Sequence, residues 1–432
     1  MAENVVEKMR EDWNARARED ANYYVAFGRR DQEDDEFQST AHEVVHGLEW
    51  EMRRLPAGEK RNRRALEIGC GPGRLLRPMS AHFGEIHGVD ISDEMVERAR
   101  RRLAQIPHAH AHVARNSNLE MFCGESFDFV YSYAVFQHIP SREVVLGYLR
   151  ETWRVLKPGG YMRCQINGLP ETAARYDTWS GVRISAAELE AFCRENDFQM
   201  LSLEGTQTQY MWTTLRKRER GWYARAEKPA GPVTIRRITN AQNSEPVAPA
   251  RGRFAALSLW VENLPEACDL VNFEVWVGGA KGRLTYIGPR EYDGMAQVNL
   301  RLPEETGTGL QPVVLAWRGE ELGPAAKVRI VPQPALVPRV VALSDGINLM
   351  SGHRVETRSM KVTLEEVEDP AGFAAEVGGE AVVDVDAFCT DPLPPRYEIN
   401  FRLPEGIGAG SHWLKMRVGR RELAPVGIEV VG

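Results

Sequence analysis

The chain has 432 residues, 43% of them hydrophobic and 27% charged, with a formal net charge of −7. This length supports two or three domains, and the composition excludes wholesale disorder. The acidic balance, the lack of an apolar run of membrane-spanning length and the absence of a secretory leader at Met1-Ala2-Glu3-Asn4 predict a cytoplasmic protein with neither nucleic acid nor membrane as partner.

In chain order, Val5, Met9 and Trp13 form a stripe at helical spacing, and Ala41, Val44, Val45, Leu48, Met52 and Leu55 form a second. A strand is predicted at 64–68, then a helix carrying Leu75, Leu76, Met79 and Phe83 that stops at Gly84. Residues 85–90 read as a strand, and Ser92 caps a helix with Met95, Val96, Ala99 and Leu103 on its apolar face. Further strands are predicted at 110–114, 127–132, 161–167, 199–204 and 210–215. One helix falls at 141–156, and another opens at the Ser185–Glu188 capping box. Such alternation implies an α/β fold with a mainly parallel sheet covered on both faces.

Composition changes near residues 222–230. Residues 1–222 hold 7 of the 25 prolines and 8 of the 10 histidines, and Lys228-Pro-Ala-Gly-Pro232 breaks any helix. Beyond it the chain reads as strands, for example Phe273, Val275 and Val277 alternating with Glu274 and Trp276. Gln297-Val-Asn-Leu-Arg-Leu-Pro-Glu304 returns as Glu398-Ile-Asn-Phe-Arg-Leu-Pro-Glu405, an offset of 101 residues. That period is the size of one β-sandwich domain. The divisions are therefore 1–225, 229–333 and 336–432, with Pro332–Pro338 as a stiff linker.

The strongest chemical signal is Ala65-Leu-Glu-Ile-Gly-Cys-Gly-Pro-Gly-Arg74, a strand that runs into Gly69-x-Gly71-x-Gly73 and then a helix. Glycines there let a ligand approach the backbone and its amides. Asp90 ends the next strand, where a carboxylate can accept both hydroxyls of a ribose. The third glycine comes one residue too early for a nicotinamide or flavin fingerprint.

Glu67-Ile-Gly-Cys-Gly-Pro-Gly73, Gly88-Val-Asp-Ile-Ser92, Ser126-Phe-Asp-Phe-Val-Tyr-Ser132 and Leu156-Lys-Pro-Gly-Gly160 resemble, in order and interval, four motifs of the class I S-adenosylmethionine-dependent methyltransferases. The resemblance covers residues 40–216 and implies a Rossmann-like seven-stranded sheet. It implies S-adenosylmethionine as cofactor and S-adenosylhomocysteine as product. By position, Gly69, Cys70, Gly71 and Gly73 would pass beneath the methionine part, and Glu67 would accept from its amino group. Asp90 would hold the ribose, Ile91 would lie against adenine, and Ser132 would end the fourth strand beside the cofactor. The family's acidic residue after the third strand is missing from Arg115-Asn-Ser-Asn-Leu119, so Asn116 or a nearby backbone group would meet the adenine amine.

Methyl transfer from a sulfonium needs alignment above all, and a base only where the acceptor must lose a proton. His138, after the fourth strand, is the candidate general base; its alternative is to cap or pack locally. Trp13, Tyr23, Tyr24 and Phe27 lie in an N-terminal extension that is either a lid or a helix packed on the sheet. Tyr24, Trp179 and Trp212 join His138 as candidate acceptor-side residues. His108, His110 and His112 would share one face of an edge strand, but no acidic or cysteine partner accompanies them, so metal-independent transfer is expected. Arg98, Arg100, Arg101 and Arg102 read as a solvated helix face.

The tandem tail resembles bacterial immunoglobulin-like modules, with dimerisation, substrate docking and shielding of the site as its competing uses; a homodimer through it is one expectation. The expected function is methylation of an oxygen or nitrogen of a small molecule. The alternatives are a glycan or protein acceptor captured by the tail, and a scaffold without turnover.

Overall fold

The computed structural model describes residues 2–26, 32–116, 118–173, 175–225, 233–291, 293–347, 352–391 and 395–431. The chain divides into two units, Met1–Ala21 with Phe37–Gln333, and Asn22–Glu36 with Pro334–Gly432.

The α/β part contains α1 (Ala2–Val25, interrupted at Asp20), α2 (Asp34–Ser39) and α3 (His42–Met52) ahead of its first strand. Strands β1 (Arg64–Ile68), β2 (Glu85–Asp90), β3 (Ala109–Val113), β4 (Phe127–Ser132) and β5 (Leu156–Ile166) run parallel. β6 (Phe198–Glu204) and β7 (Met211–Lys217) complete the order β3-β2-β1-β4-β5-β7-β6, with β7 antiparallel to β5. Successive residues point to opposite faces of a strand. Hence Ala65, Ile86, Phe129 and Tyr131 pack with α3, α4 (Leu76–Met79) and α5 (Asp93–Leu103). Leu66, Ile68, Val89 and Val130 pack with α6 (Arg142–Val155) and α7 (Ala186–Glu195). Burying a side chain such as Leu66 contributes about 1.5–3 kcal/mol.

Capping follows the sequence. Ser92 Oγ accepts from the Met95 amide at 3.1 Å, and Ser185 Oγ accepts from the Glu188 amide at 3.2 Å. The helix expected over 75–83 is shorter: α4 spans four residues and tightens into a single 3₁₀ turn at Ser80–His82. Leu75, Leu76, Met79 and Phe83 stay buried, so the apolar stripe is satisfied by a tighter backbone.

The first all-β module contains β8 (Thr234–Asn240), β9 (Ala256–Glu262), β10 (Phe273–Val277), β11 (Arg283–Arg290), β12 (Met295–Arg301), β13 (Gly309–Trp317) and β14 (Ala326–Val331), besides some two- and three-residue strands. Its first sheet is not separate. β6 pairs with β11 through Ser202 and Tyr286, so one eleven-stranded sheet runs β3-β2-β1-β4-β5-β7-β6-β11-β12-β9-β8. The apolar core is continuous as well, from Val45 and Leu48 through Leu201 to Leu257 and Val275. α3 fastens the junction: Trp50 Nε1 donates to Tyr286 Oη at 3.2 Å, and the buried Arg54 donates to Glu51 at 2.6 Å and to the Ile287 carbonyl at 2.8 Å. The proline-rich break expected at Lys228–Pro232 lies outside the described residues.

The second module repeats the plan with β15 (Arg339–Asp345), β16 (Ser359–Glu365), β17 (Phe373–Val377), β18 (Val383–Asp391), β19 (Arg396–Arg402), β20 (Gly410–Val418) and β21 (Val426–Val430). Its four-stranded sheet β15-β16-β19-β18 matches β8-β9-β12-β11 of the first, and the repeated octapeptide begins on the matching strands β12 and β19. In the second module both sheets share one core, with Val362 and Ile399 from one and Val377 and Leu414 from the other.

Candidate functional site

The site forms at the carboxyl ends of β1, β2 and β4. Beyond Ile68 the chain turns through Gly69, Gly71 and Gly73 with φ of +74°, +50° and +83°. Side chains are disfavoured there on conformational grounds. At Gly69 space forbids one too, because a Cβ would lie 2.2 Å from Val135 Cγ2 on the loop after β4. The loop amides are oriented by Asp90, which accepts from the Gly71 amide at 2.8 Å and the Ser92 amide at 2.9 Å. Burial raises the Asp90 pKa, and these amide bonds oppose the rise.

Glu67 is buried beneath the loop and accepts from the Tyr131 hydroxyl at 3.1 Å. Burial pushes its carboxyl well above the usual carboxylate range; Tyr131 and Arg74 oppose that shift and Asp90 reinforces it. Arg74 is buried too, donates to the Thr40 carbonyl and hydroxyl, and leaves its Nε without a hydrogen-bond partner. Cys70 is buried, its thiol pKa raised by that burial. Ser132 donates its hydroxyl to the Ile68 carbonyl at 2.9 Å. Asn116 is exposed and donates to Glu120 at 3.3 Å.

α1 lies across these strand ends. Arg10 donates to the carbonyls of Ile91 (3.3 Å), Ala114 (3.4 Å) and Arg115 (2.6 Å), and Asn14 Oδ1 accepts from Ser92 Oγ at 2.6 Å. Further along, Asp12 accepts from the Thr178 hydroxyl at 2.7 Å, while Arg16 donates to the Thr178 carbonyl at 3.1 Å. The Arg16 guanidinium stands over both Trp13 (4.7 Å) and Trp179 (5.3 Å). Cation–π contacts of this kind hold the loop and helix together.

His138 sits inside this arrangement, 6% exposed, with Trp13 edge-on at 5.6 Å and Trp179 at 5.8 Å. Its Nδ1 lies 3.0 Å from the Trp179 carbonyl. A carbonyl only accepts, so Nδ1 carries the proton and Nε2 bears the lone pair. Burial depresses the pKa to about 4, so the ring is neutral at pH 7. Gln137, beside it, keeps an Oε1 that is buried without a partner. The loop holding both residues is set by Ala134, at φ +56°, whose amide donates to Gln165 Oε1 at 3.0 Å.

Of the other expected neighbours, Trp212 lies at these strand ends and Tyr24 does not. Trp212 stacks on Tyr133 at 5.6 Å, beside the Arg74 guanidinium, which covers the same tyrosine at 5.3 Å. Tyr24 belongs to the second unit, edge-on to Tyr23, and Phe27 lies outside the described residues. The three histidines do not share a face: β3 begins at Ala109, which leaves His108 in the preceding turn, bonded to the Ser80 carbonyl. His110 and His112 instead join His87, whose Nδ1 is 3.0 Å from His112 Nε2. Among the described residues no His, Cys, Asp or Glu group is arranged to hold a metal ion. The arginines of α5 are not merely solvated. Arg98 donates to the Ala17 carbonyl, Arg100 to that of Ala111 and Arg102 to that of Pro72. The residues sequence reasoning missed, Arg10, Asn14, Arg16 and Arg74, are polar side chains that look solvated until the groups they meet are known.

A family model described as a methyltransferase domain matches residues 66–164. The chain is 35% identical over 114 residues to a ubiquinone biosynthesis O-methyltransferase of Ruegeria pomeroyi, covering 26% of this chain and 44% of that protein. It is 30% identical over 122 residues to phosphoethanolamine N-methyltransferase 2 of Caenorhabditis elegans, covering 27% of each. The chain thus spans under half the length of these curated relatives. Among solved structures, a SAM-dependent methyltransferase from Aquifex aeolicus is 15% identical with a TM-score of 0.34, covering 47% of this chain and 97% of that one. The [4+2]-cyclase SpnF is 15% identical with a TM-score of 0.39, covering 49% and 97%. The chain carries a methyltransferase domain of the kind that draws its methyl group from S-adenosylmethionine.

Proposed function

We propose that this chain is a cytoplasmic methyltransferase that moves a methyl group from S-adenosylmethionine to an oxygen or nitrogen of a small-molecule acceptor, without a metal ion. The observation that carries the reading is one juxtaposition: the glycine loop with Asp90, and the neutral His138, occupy the same strand ends beneath α1. The names of the relatives include oxygen, nitrogen and carbon methyltransferases. The two tail modules are read as immunoglobulin-like.

The residues present fit the cofactor. Burial raises the pKa of Glu67 despite the nearby Arg74, and an ammonium group would add positive charge that offsets the burial. The Nε of Arg74 and Oε1 of Gln137 are buried polar atoms that await partners. Gly69, Cys70, Gly71 and Gly73 would provide backbone beneath the methionine part, Asp90 would accept from the ribose hydroxyls, and Ile91 would cover adenine. Arg10 ties up the Ala114 and Arg115 carbonyls, which leaves Asn116 or another nearby backbone group for the adenine amine.

When bound, S-adenosylmethionine supplies a methyl group already activated by its sulfonium. The protein's part is to align the acceptor and exclude water. α1 does the excluding, latched by Arg10 at one end of the strand edge and by Asp12 at the other. Trp13 and Trp179 provide apolar walls. His138 holds Nδ1–H on the Trp179 carbonyl and its Nε2 accepts from Gln137 Nε2 at 3.3 Å, so a hydroxyl acceptor would pass its proton to Nε2 by displacing that amide.

Calorimetric titration of S-adenosylhomocysteine into the full chain and an Asp90→Ala variant tests this. We expect micromolar binding that the variant weakens tenfold or more, about 1.4 kcal/mol. A folded chain that gives no binding heat would end the enzyme reading.

A further inference from the structure

A neutral imidazole has two tautomers, and only the one protonated at Nδ1 leaves Nε2 of His138 able to take a proton. Gln137 does not choose between them. Its Nε2 lies 3.3 Å from His138 Nε2, while its Oε1 is buried without a hydrogen-bond partner. A half-turn of that amide would present Oε1 to an Nε2–H instead. The choice falls to the other ring nitrogen, Nδ1, which meets the Trp179 carbonyl at 3.0 Å.

That carbonyl belongs to the segment between β5 and α7, which is fastened on both sides of Trp179. After it, Gly181 runs against the backbone that carries His138. A Cβ there would lie 2.5 Å from the Gln137 carbonyl oxygen and 2.7 Å from the Ile139 amide nitrogen. The Val182 amide donates to the Ile139 carbonyl at 2.9 Å. Before it, Thr178 is bonded to Asp12 and Arg16 of α1. Between these anchors the chain turns on Asp177. Its Oδ1 accepts from the amides of Trp179 and Ser180, each at 2.8 Å, and from the Ser180 hydroxyl at 2.9 Å. An aspartate that bonds the amides just beyond it fixes a tight turn. The Ser180 and Trp179 amides hold its carboxyl below the usual carboxylate range, so it stays ionised at neutral pH.

We propose that Asp177 is a positioning residue for methyl transfer. It folds 177–180 so that the Trp179 carbonyl keeps the proton on Nδ1 of His138 and leaves Nε2 as the base. The proposal rests on the reading of His138 as the base of a methyltransferase. Asp177 acts through the turn and the carbonyl, without touching acceptor or cofactor itself. Its carboxylate is needed for the geometry of its oxygen, so a side-chain amide in its place should serve as well.

Magnetic resonance of the full chain with nitrogen-15 in its histidines tests the proposal, because long-range couplings tell a protonated ring nitrogen from an unprotonated one. The His138 signals are those missing from His138→Gln. At neutral pH the wild type should hold roughly tenfold more Nδ1–H than Nε2–H at this residue. Asp177 is exposed, so Asp177→Ala should stay folded by circular dichroism and lower that ratio about tenfold, the effect of one lost hydrogen bond. Asp177→Asn keeps an oxygen that accepts from both amides and should hold the ratio within about twofold of wild type. Mixed tautomers in the wild type, a ratio unchanged by Asp177→Ala or a ratio lost in Asp177→Asn would each overturn the proposal and leave the methyltransferase reading standing. S-adenosylhomocysteine binding by the same samples should stay within about twofold in both Asp177 variants, since Asp177 makes no contact with the glycine loop. A wild-type chain that binds none would overturn the methyltransferase reading, and the proposal with it.

Discussion

Gly69→Ala probes the junction between the glycine loop and the loop that carries His138. Two costs add. Holding an alanine at φ +74° costs about 1 kcal/mol. Its Cβ would also lie 2.2 Å from Val135 Cγ2, 2.6 Å from Cγ1 and 3.0 Å from Cβ, and overpacking of that degree costs roughly 1–3 kcal/mol. The expected loss is about 2–4 kcal/mol. Gly73→Ala is the internal control. Its φ of +83° carries the same conformational cost, but its nearest contact is 3.3 Å, to Ala99 Cβ, so it should lose about 1 kcal/mol. Val135 lies two and three residues before Gln137 and His138, so relief of the clash at Gly69 must disturb them. Thermal unfolding of both variants, with and without S-adenosylhomocysteine, measures the difference. Gly69→Ala should melt several degrees below Gly73→Ala and show at least tenfold weaker binding. Equal melting temperatures with unchanged binding would refute the reasoning.

Arg10→Ala should free α1 from Ile91, Ala114 and Arg115, speed amide exchange along that helix and weaken S-adenosylhomocysteine roughly tenfold, since hydrogen bonds from a charged group contribute about 1.5–3 kcal/mol; unchanged exchange would show that the latch lies elsewhere. Arg54→Ala leaves the Glu51 carboxylate buried without its ion pair and should cost about 3–5 kcal/mol by thermal unfolding, while Glu51→Gln with Arg54→Met should recover most of the loss. His138 and His112 both have pKa values pressed to about 4 by burial, against 6.5 when unfolded. The unfolded chain thus takes up more protons between those values. Stability should be full above pH 6.5 and fall on acidification toward pH 4, with each histidine contributing at most about 1.4 kcal/mol per pH unit. A Tm that does not fall over that range, with His138→Gln and wild type behaving alike, would contradict the assignment.

The cofactor half of the site was legible because its geometry is local. Strands expected at 64–68, 85–90 and 127–132 have those bounds, since glycines and terminal carboxylates mark where each strand stops. The repeat was legible because the octapeptide marks equivalent strands. What escaped is non-local. No pattern in 198–204 announces pairing with 283–290, because an edge that accepts a strand has the same alternation as one that does not. Nor can helical spacing tell Arg10 and Asn14 from a solvated face. His87 escaped for the same reason: it sits on β2, and only the parallel register of β2 and β3 brings it beside His112.

The seam between β6 and β11 also decides where the chain can be cut. A truncation after residue 225, where composition suggests a boundary, would strip β6 of its neighbour and bare the apolar surface around Leu201. Such a fragment would present a long unprotected strand to its own copies and should precipitate, and that failure would say nothing about catalysis. A cut at Gln333, where the two units divide, leaves all eleven strands in place. The smallest chain expected to remain in solution and turn over is therefore 1–333, which makes the first module part of the enzyme's foundation, although this cut parts Asn22–Glu36 from the rest of its unit.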